Sequence, residues 1–120
     1  MAEHNETGTL GEQLAAEYLL KKGYKILEKN YRFAKAEVDI IAKDMTENEI
    51  VFVEVKTRHS DYMVEPEFSV TKKKQSLIIS AAERYLVSRQ IQLWTRFDII
   101  SIILHPEGRE IRHIEGAYTA

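Results

Sequence analysis

Glu37-Val38-Asp39-Ile40-Ile41-Ala42, then a polar break holding Asp44, Thr46 and Asn48, then Ile50-Val51-Phe52-Val53-Glu54-Val55-Lys56: the architecture of the chain follows from these two runs. Both are rich in β-branched residues and the break is turn-prone, so together they predict two strands joined by a hairpin. Side chains alternate along a strand, which places Glu54 and Lys56 on one face with Ile50 and Phe52, and Val55 on the other. A hairpin closing symmetrically about Thr46 and Glu47 sets Asp39 directly opposite Glu54. Opposed residues have Cβ atoms roughly 4.5–5.5 Å apart, and like charges there are destabilising. A divalent cation would compensate, since magnesium is held by one or two carboxylates together with water and phosphate oxygens. Lys56, one pleat along, adds a cation able to meet a phosphate or an attacking water. The alternative is a plain cross-strand salt bridge on a solvated face. A face that begins apolar at Ile50 and Phe52 and turns charged at Glu54 speaks for the metal.

Composition sets the outer bounds. A chain of 120 residues with 44% hydrophobic content predicts one domain over residues 9–120, behind a short disordered lead over residues 1–8. There is no cysteine, which excludes a disulfide framework, a thiol nucleophile and a zinc–thiolate site. No apolar run approaches the ~20 residues needed to span a bilayer, and the start Met1-Ala2-Glu3-His4-Asn5-Glu6 is acidic and polar, unlike a signal peptide. The expectation is a soluble cytoplasmic protein without a membrane partner. The net charge of −2 argues against non-specific coating of nucleic acid, but leaves room for a local basic patch.

Outward from the hairpin, Thr9-Leu10-Gly11-Glu12 fits a capping box that opens a helix running to about Lys22. Glu12 is then either a cap or, stacked on one face with Ala16 and Leu19, a carboxylate aimed inward. Tyr24 to Glu28 reads as an edge strand and Asn30-Tyr31-Arg32-Phe33 as a turn, with Arg32 either a surface residue or a phosphate contact. Thr57 to Met63 and Glu65 to Ser69 read as loop, where Arg58 and His59 are candidate phosphate or base contacts. None of the four histidines shows metal-ligand spacing. From Thr71 a helical period runs to about Arg89, opening on Lys72, Lys73 and Lys74. Cations oppose the macrodipole at a helix N-terminus, and anionic DNA backbone would relieve that; a solvated charged face is the other reading. Arg96 to Leu104 and Arg109 to Ile114 complete two more strands, the second an outer one. The order helix, three strands, helix, two strands predicts a mixed sheet with helices on its faces.

Asp39, followed after the hairpin by Glu54-Val55-Lys56, resembles the PD-(D/E)XK nuclease motif. The longer series Gly11-Glu12, Ala15-Ala16-Glu17-Tyr18-Leu19, Gly23-Tyr24, Asn30-Tyr31-Arg32, Ala36-Glu37-Val38-Asp39 and Val51 to Arg58 resembles the YraN-like family of bacterial endonuclease-like proteins, related in fold to Holliday-junction resolvases. It continues through Lys74-Gln75, Ala81-Ala82, Tyr85-Leu86 and Arg96-Phe97-Asp98, with one departure: Ala36 stands where the family has glycine. The resemblance implies a restriction-endonuclease-like three-layer α/β sandwich, with a mixed central sheet flanked by helices in the order α-β-β-β-α-β-β. It further implies a Mg2+- or Mn2+-dependent enzyme cleaving duplex or branched DNA, working as a homodimer. Asp39, Glu54 and the Val55 carbonyl would hold the metal, Lys56 would serve the attacking water, and Glu12 would add a further acid. Gln75 resembles a family position and either faces the site or is an ordinary polar helix residue. Asp98 resembles the aspartate of the family's Arg-Phe-Asp element, with a structural role expected in orienting an arginine or a backbone amide. A nuclease-fold DNA-binding or adaptor protein that cleaves nothing is the alternative.

Overall fold

The structure, a computed structural model, describes residues 2–60 and 70–120, with side chains from residue 8 onward. The elements run α1 (Ala2–Lys21), β1 (Lys25–Phe33), β2 (Ala36–Asp44), β3 (Glu49–His59), α2 (Lys72–Ser88), β4 (Trp94–His105) and β5 (Gly108–Tyr118). This is the expected order, and the five strands form one sheet in sequence order. Pairing is antiparallel except between β3 and β4, which run parallel, so the sheet is mixed and β1 and β5 are its edges. Parallel neighbours need a long crossover; residues 60–93, containing α2, supply it.

The helices cover opposite faces. Ala15, Ala16 and Leu19 of α1 pack with Ile40, Ala42, Val51, Val53, Ile100 and Ile102. Ile78, Ala81, Ala82 and Tyr85 of α2 pack with Ala36, Val38, Ile41, Ile50, Phe52 and Phe97. The central strands are therefore buried on both sides, which is why Ile50-Val51-Phe52-Val53 is a continuous apolar run. The hairpin register is the symmetric one, from Asp44↔Glu49 to Ile40↔Val53. Asp44 ends β2 and accepts the Thr46 and Glu47 amides on Oδ1, which closes the turn.

Several boundaries differ from expectation. α1 begins at Ala2, so Thr9 lies inside it and is not its N-cap. A cap is a local preference of about 1 kcal/mol, whereas an existing helix extends by one hydrogen bond per residue until something breaks it; no proline precedes Thr9. β1 reaches Phe33, so Arg32 pairs with Glu37 in the sheet where a turn was expected. Likewise β3 reaches His59, because Ile103 and Leu104 of β4 offer a ladder to Arg58 and His59 although those residues are not strand-patterned. The loop expected over 61–69 lies outside the described residues. Among the described residues no helix is long and apolar enough to cross a membrane.

Ala36 needs no glycine: it opens β2 as a buried strand residue, and the left-handed position of this tight turn falls on Ala34 at φ +56°. Ala34→Gly is expected to raise stability by about 0.5–1 kcal/mol, since relief of the left-handed Cβ clash exceeds the added chain entropy. A urea midpoint below that of the unchanged protein would contradict this turn geometry.

Candidate active site

Beyond Ile40↔Val53 the β2–β3 ladder stops and the strands part. Asp39 and Glu54, expected to oppose each other, thus lie one position past the last strand pair, and Asp39 carries its carboxylate across the gap and accepts the Val55 amide on Oδ2 at 2.8 Å. A residue's N–H and C=O lie on the same side of a strand, so the Val55 carbonyl also points to this gap. The alternation of β2 breaks here as well. Val38 packs on the α2 side and Ile40 on the α1 side, although residues two apart in a regular strand share a face. Opposite this point on β1, Asn30 is left-handed at φ +54°. The result is a cleft of about 880 Å³ at the sheet's interior, walled by both helices.

α1 contributes Glu12, which lines the cleft with Asp39. With Thr9 inside the helix, Glu12 has no capping role, and it takes the inward reading beside buried Ala16 and Leu19. Gly11 sets how closely α1 approaches: a Cβ there would fall 1.7 Å from Thr57 Oγ1. Neither Gly11 nor Thr57 stood out as a site residue, although a glycine inside a helical pattern is itself a signal of close packing.

α2 contributes Lys74, whose Nζ lies 2.7 Å from Glu54 Oε2. Glu54 is only 8% exposed, and its other oxygen, Oε1, is buried with no hydrogen-bond partner among the described residues. A buried carboxylate oxygen left unmatched is energetically costly, so this atom marks a place for a ligand. Among the described residues, four carboxylates (Glu12, Glu37, Asp39, Glu54) line the cleft against two cations, Arg32 and Lys74. Burial, followed by the repulsion of Glu12, Glu54 and Glu37, pushes Asp39 up to about 7 despite the Val55 hydrogen bond. Glu12 is also raised, by burial and by Glu37.

Among the described residues no three His, Cys, Asp or Glu side chains group closely enough to hold a metal alone. A magnesium-type site asks for less, namely hard oxygens from one or two carboxylates, completed by water and phosphate. Asp39, the unmatched Glu54 oxygen and the Val55 carbonyl fit that requirement.

The other expected site residues divide. Lys56 follows Glu54 on the same strand face and is half-buried; among the described residues the cleft is lined by Val55 and Thr57 and not by Lys56. Arg32 lines the cleft, in an exposed ion pair with Glu37 at 3.4 Å. Lys73 lines a smaller cavity of about 250 Å³ beside the cleft, and Lys72 is exposed. Arg58 is half-buried near the end of β3, and His59 lines a separate cavity with Ser60, Leu104, His105 and Pro106. Gln75 does not reach into the cleft: its Nε2 donates to the Val70 carbonyl, just before α2.

Asp98 orients an arginine and a backbone amide, as expected, but within a larger network. Fully buried, it accepts a fork from Arg96 (Nε to Oδ1 and Nη2 to Oδ2, both 3.0 Å), the Gly116 amide, and His113 Nε2 at 2.7 Å. Arg96 also donates to Asp44, Glu49 and Tyr24. Burial raises Asp98, yet the His113, Arg96 and Gly116 hydrogen bonds outweigh it and hold the carboxyl below its ordinary value. This network ties the turn end of the hairpin to β4 and β5.

The family model described as "Uncharacterised protein family UPF0102" matches residues 11–102 of the chain. UPF0102 proteins of Flavobacterium psychrophilum and Christiangramia forsetii are each 46% identical over 118 residues, covering 98% of both chains. One from Syntrophus aciditrophicus is 44% identical over 98% of this chain and 92% of its own.

Proposed function

The chain belongs to the UPF0102 family, and we propose that it is a magnesium- or manganese-dependent nuclease acting on DNA, branched duplexes included. One observation carries the reading: among the described residues, the buried Oε1 of Glu54 beside Asp39 has no partner, in a cleft where carboxylates outnumber cations. Such a cleft repels a phosphodiester unless a divalent cation stands between them. When bound, that cation would supply Lewis-acid polarisation of a phosphoryl oxygen. Asp39, Glu54 and the Val55 carbonyl would hold it. The Val55 amide fixes the Asp39 carboxylate, and Lys74 fixes one oxygen of Glu54 while leaving the other available. Lys56, on the strand face of Glu54 but outside the cleft's described lining, would have to extend its stem past Glu54 to position the attacking water or neutralise charge growing on the phosphoryl oxygens. Glu12 adds negative charge at the far wall, and Arg32 with Lys73 would seat the flanking phosphates without reading bases.

Purified protein is expected to cleave linear or branched DNA with Mn2+ or Mg2+, and Glu54→Ala and Lys56→Ala are each expected to abolish it while preserving the circular dichroism spectrum. Unchanged turnover in either variant would overturn the assignment. DNA binding without cleavage, indifferent to Asp39→Asn and weakened by neutralising Lys72 and Lys73, would favour a nuclease-fold binding protein instead.

A further inference from the structure

Lys74 occupies an unusual position. It sits in the first turn of α2, where the Thr71 hydroxyl caps its own amide and no acidic residue stands. The helix dipole disfavours a cation there, yet its ammonium reaches one oxygen of the least exposed carboxylate in the cleft. Its side chain is still 54% exposed, so it is tethered at the tip and free along the stem. Lys74 also lines both cavities, the cleft and the smaller one shared with Lys35 and Lys73. A short swing of its stem would carry the ammonium from Glu54 toward a neighbourhood that, among the described residues, holds Lys35 and Lys73 against the single carboxylate of Glu37, a positive balance suited to a phosphate.

We propose that Lys74 is a built-in counter-ion which closes the metal site until a substrate phosphate draws it away. The inference rests on the metal-site reading above and adds a positioning residue to it. With Lys74 on Oε2, Glu54 presents a single oxygen and a resident positive charge faces any incoming dication. A phosphodiester arriving at the Lys35–Lys73 side offers the ammonium a new partner. Glu54 then has both oxygens available, and the phosphate brings oxygens of its own. Metal and DNA therefore bind with positive coupling, and the coupling is reciprocal.

The test is Mn2+ titration by calorimetry on the unchanged protein, Lys74→Gln, Lys74→Arg and Lys73→Gln, each with and without a short non-cleavable duplex. Without DNA, Lys74→Gln is expected to bind Mn2+ about tenfold more tightly, the order set by losing one charge-assisted hydrogen bond at the ligand. Lys74→Arg should keep the original affinity. Lys73→Gln should change it less than about twofold, since a lysine not touching Glu54 acts only through screened space. Adding DNA should tighten Mn2+ binding in the unchanged protein, and by a factor about ten times smaller in Lys74→Gln. Equal or weaker Mn2+ binding by Lys74→Gln overturns the counter-ion role while leaving the metal site standing. If neither the unchanged protein nor Lys74→Gln binds Mn2+ under either condition, the metal site itself falls, and the inference with it.

Discussion

Asp39→Asn is expected to abolish cleavage while making the fold more stable above pH 7. The two effects share one cause. The Asp39 carboxyl is held at about 7, chiefly by burial and then by Glu12, Glu54 and Glu37 around it. In the unfolded chain it titrates near its ordinary 3.8. Below pH 4 both states are protonated and the group is silent. Between about 4 and 7 the unfolded chain releases its proton while the folded protein retains it, so stability falls as pH rises, and the loss is complete above 7. Three pKa units at 1.36 kcal/mol each bound the loss at roughly 4 kcal/mol. Asparagine has the same shape, keeps an oxygen for the Val55 amide, and does not titrate. Urea unfolding at pH 5 and pH 8 checks this: the variant's advantage should grow by a few kcal/mol between them. An advantage independent of pH would show that the cleft does not perturb Asp39. Saturating Mn2+ at pH 8 should narrow the gap, because a dication at Asp39 favours its ionised form.

Arg96→Ala is expected to destabilise the protein by about 3–5 kcal/mol, the scale for removing one partner of a buried ionic network. Arg96 hydrogen-bonds three carboxylates and the Tyr24 hydroxyl, has a fourth carboxylate, Glu115, at 3.9 Å, and covers the fully buried Asp98. Without the guanidinium, Asp98 keeps, among the described residues, only His113 and the Gly116 amide, and the pairs to Asp44 and Glu49 disappear. Domains of this kind have total stabilities of about 5–15 kcal/mol, so much of the margin goes. Arg96→Lys should recover little, since an ammonium cannot reproduce the two-pronged contact with Asp98. A thermal and urea series measures the loss; a change under about 1 kcal/mol would mean that the network contributes little to folding.

Local patterns carried far in this chain. The hairpin register was legible because its two apolar runs are symmetric about Thr46 and Glu47, and register fixes which residues oppose. The start of α2 was legible because Thr71 is a capping residue followed by an uninterrupted helical period. Asp98 was legible in kind, though not in extent: its partners Gly116 and His113 come from β5, and nothing local to Arg96-Phe97-Asp98 points to them. Extents failed where a neighbouring strand or a propagating helix overrode local preference, as at Arg58, Arg32 and Thr9.

By itself, then, the sequence determined the order of elements, the mixed sheet with a helix on each face, and the hairpin register that brings Asp39 and Glu54 to one cleft, because periodicity and hairpin symmetry are properties of neighbouring residues. Tertiary structure alone decided that the strands part just past Ile40, that Glu12 enters the cleft through the close approach of Gly11 to Thr57, and that Lys74 holds one oxygen of Glu54 and leaves the other unmatched. Those contacts join segments far apart in the chain, and their geometry is set by how two helices dock on a twisted sheet.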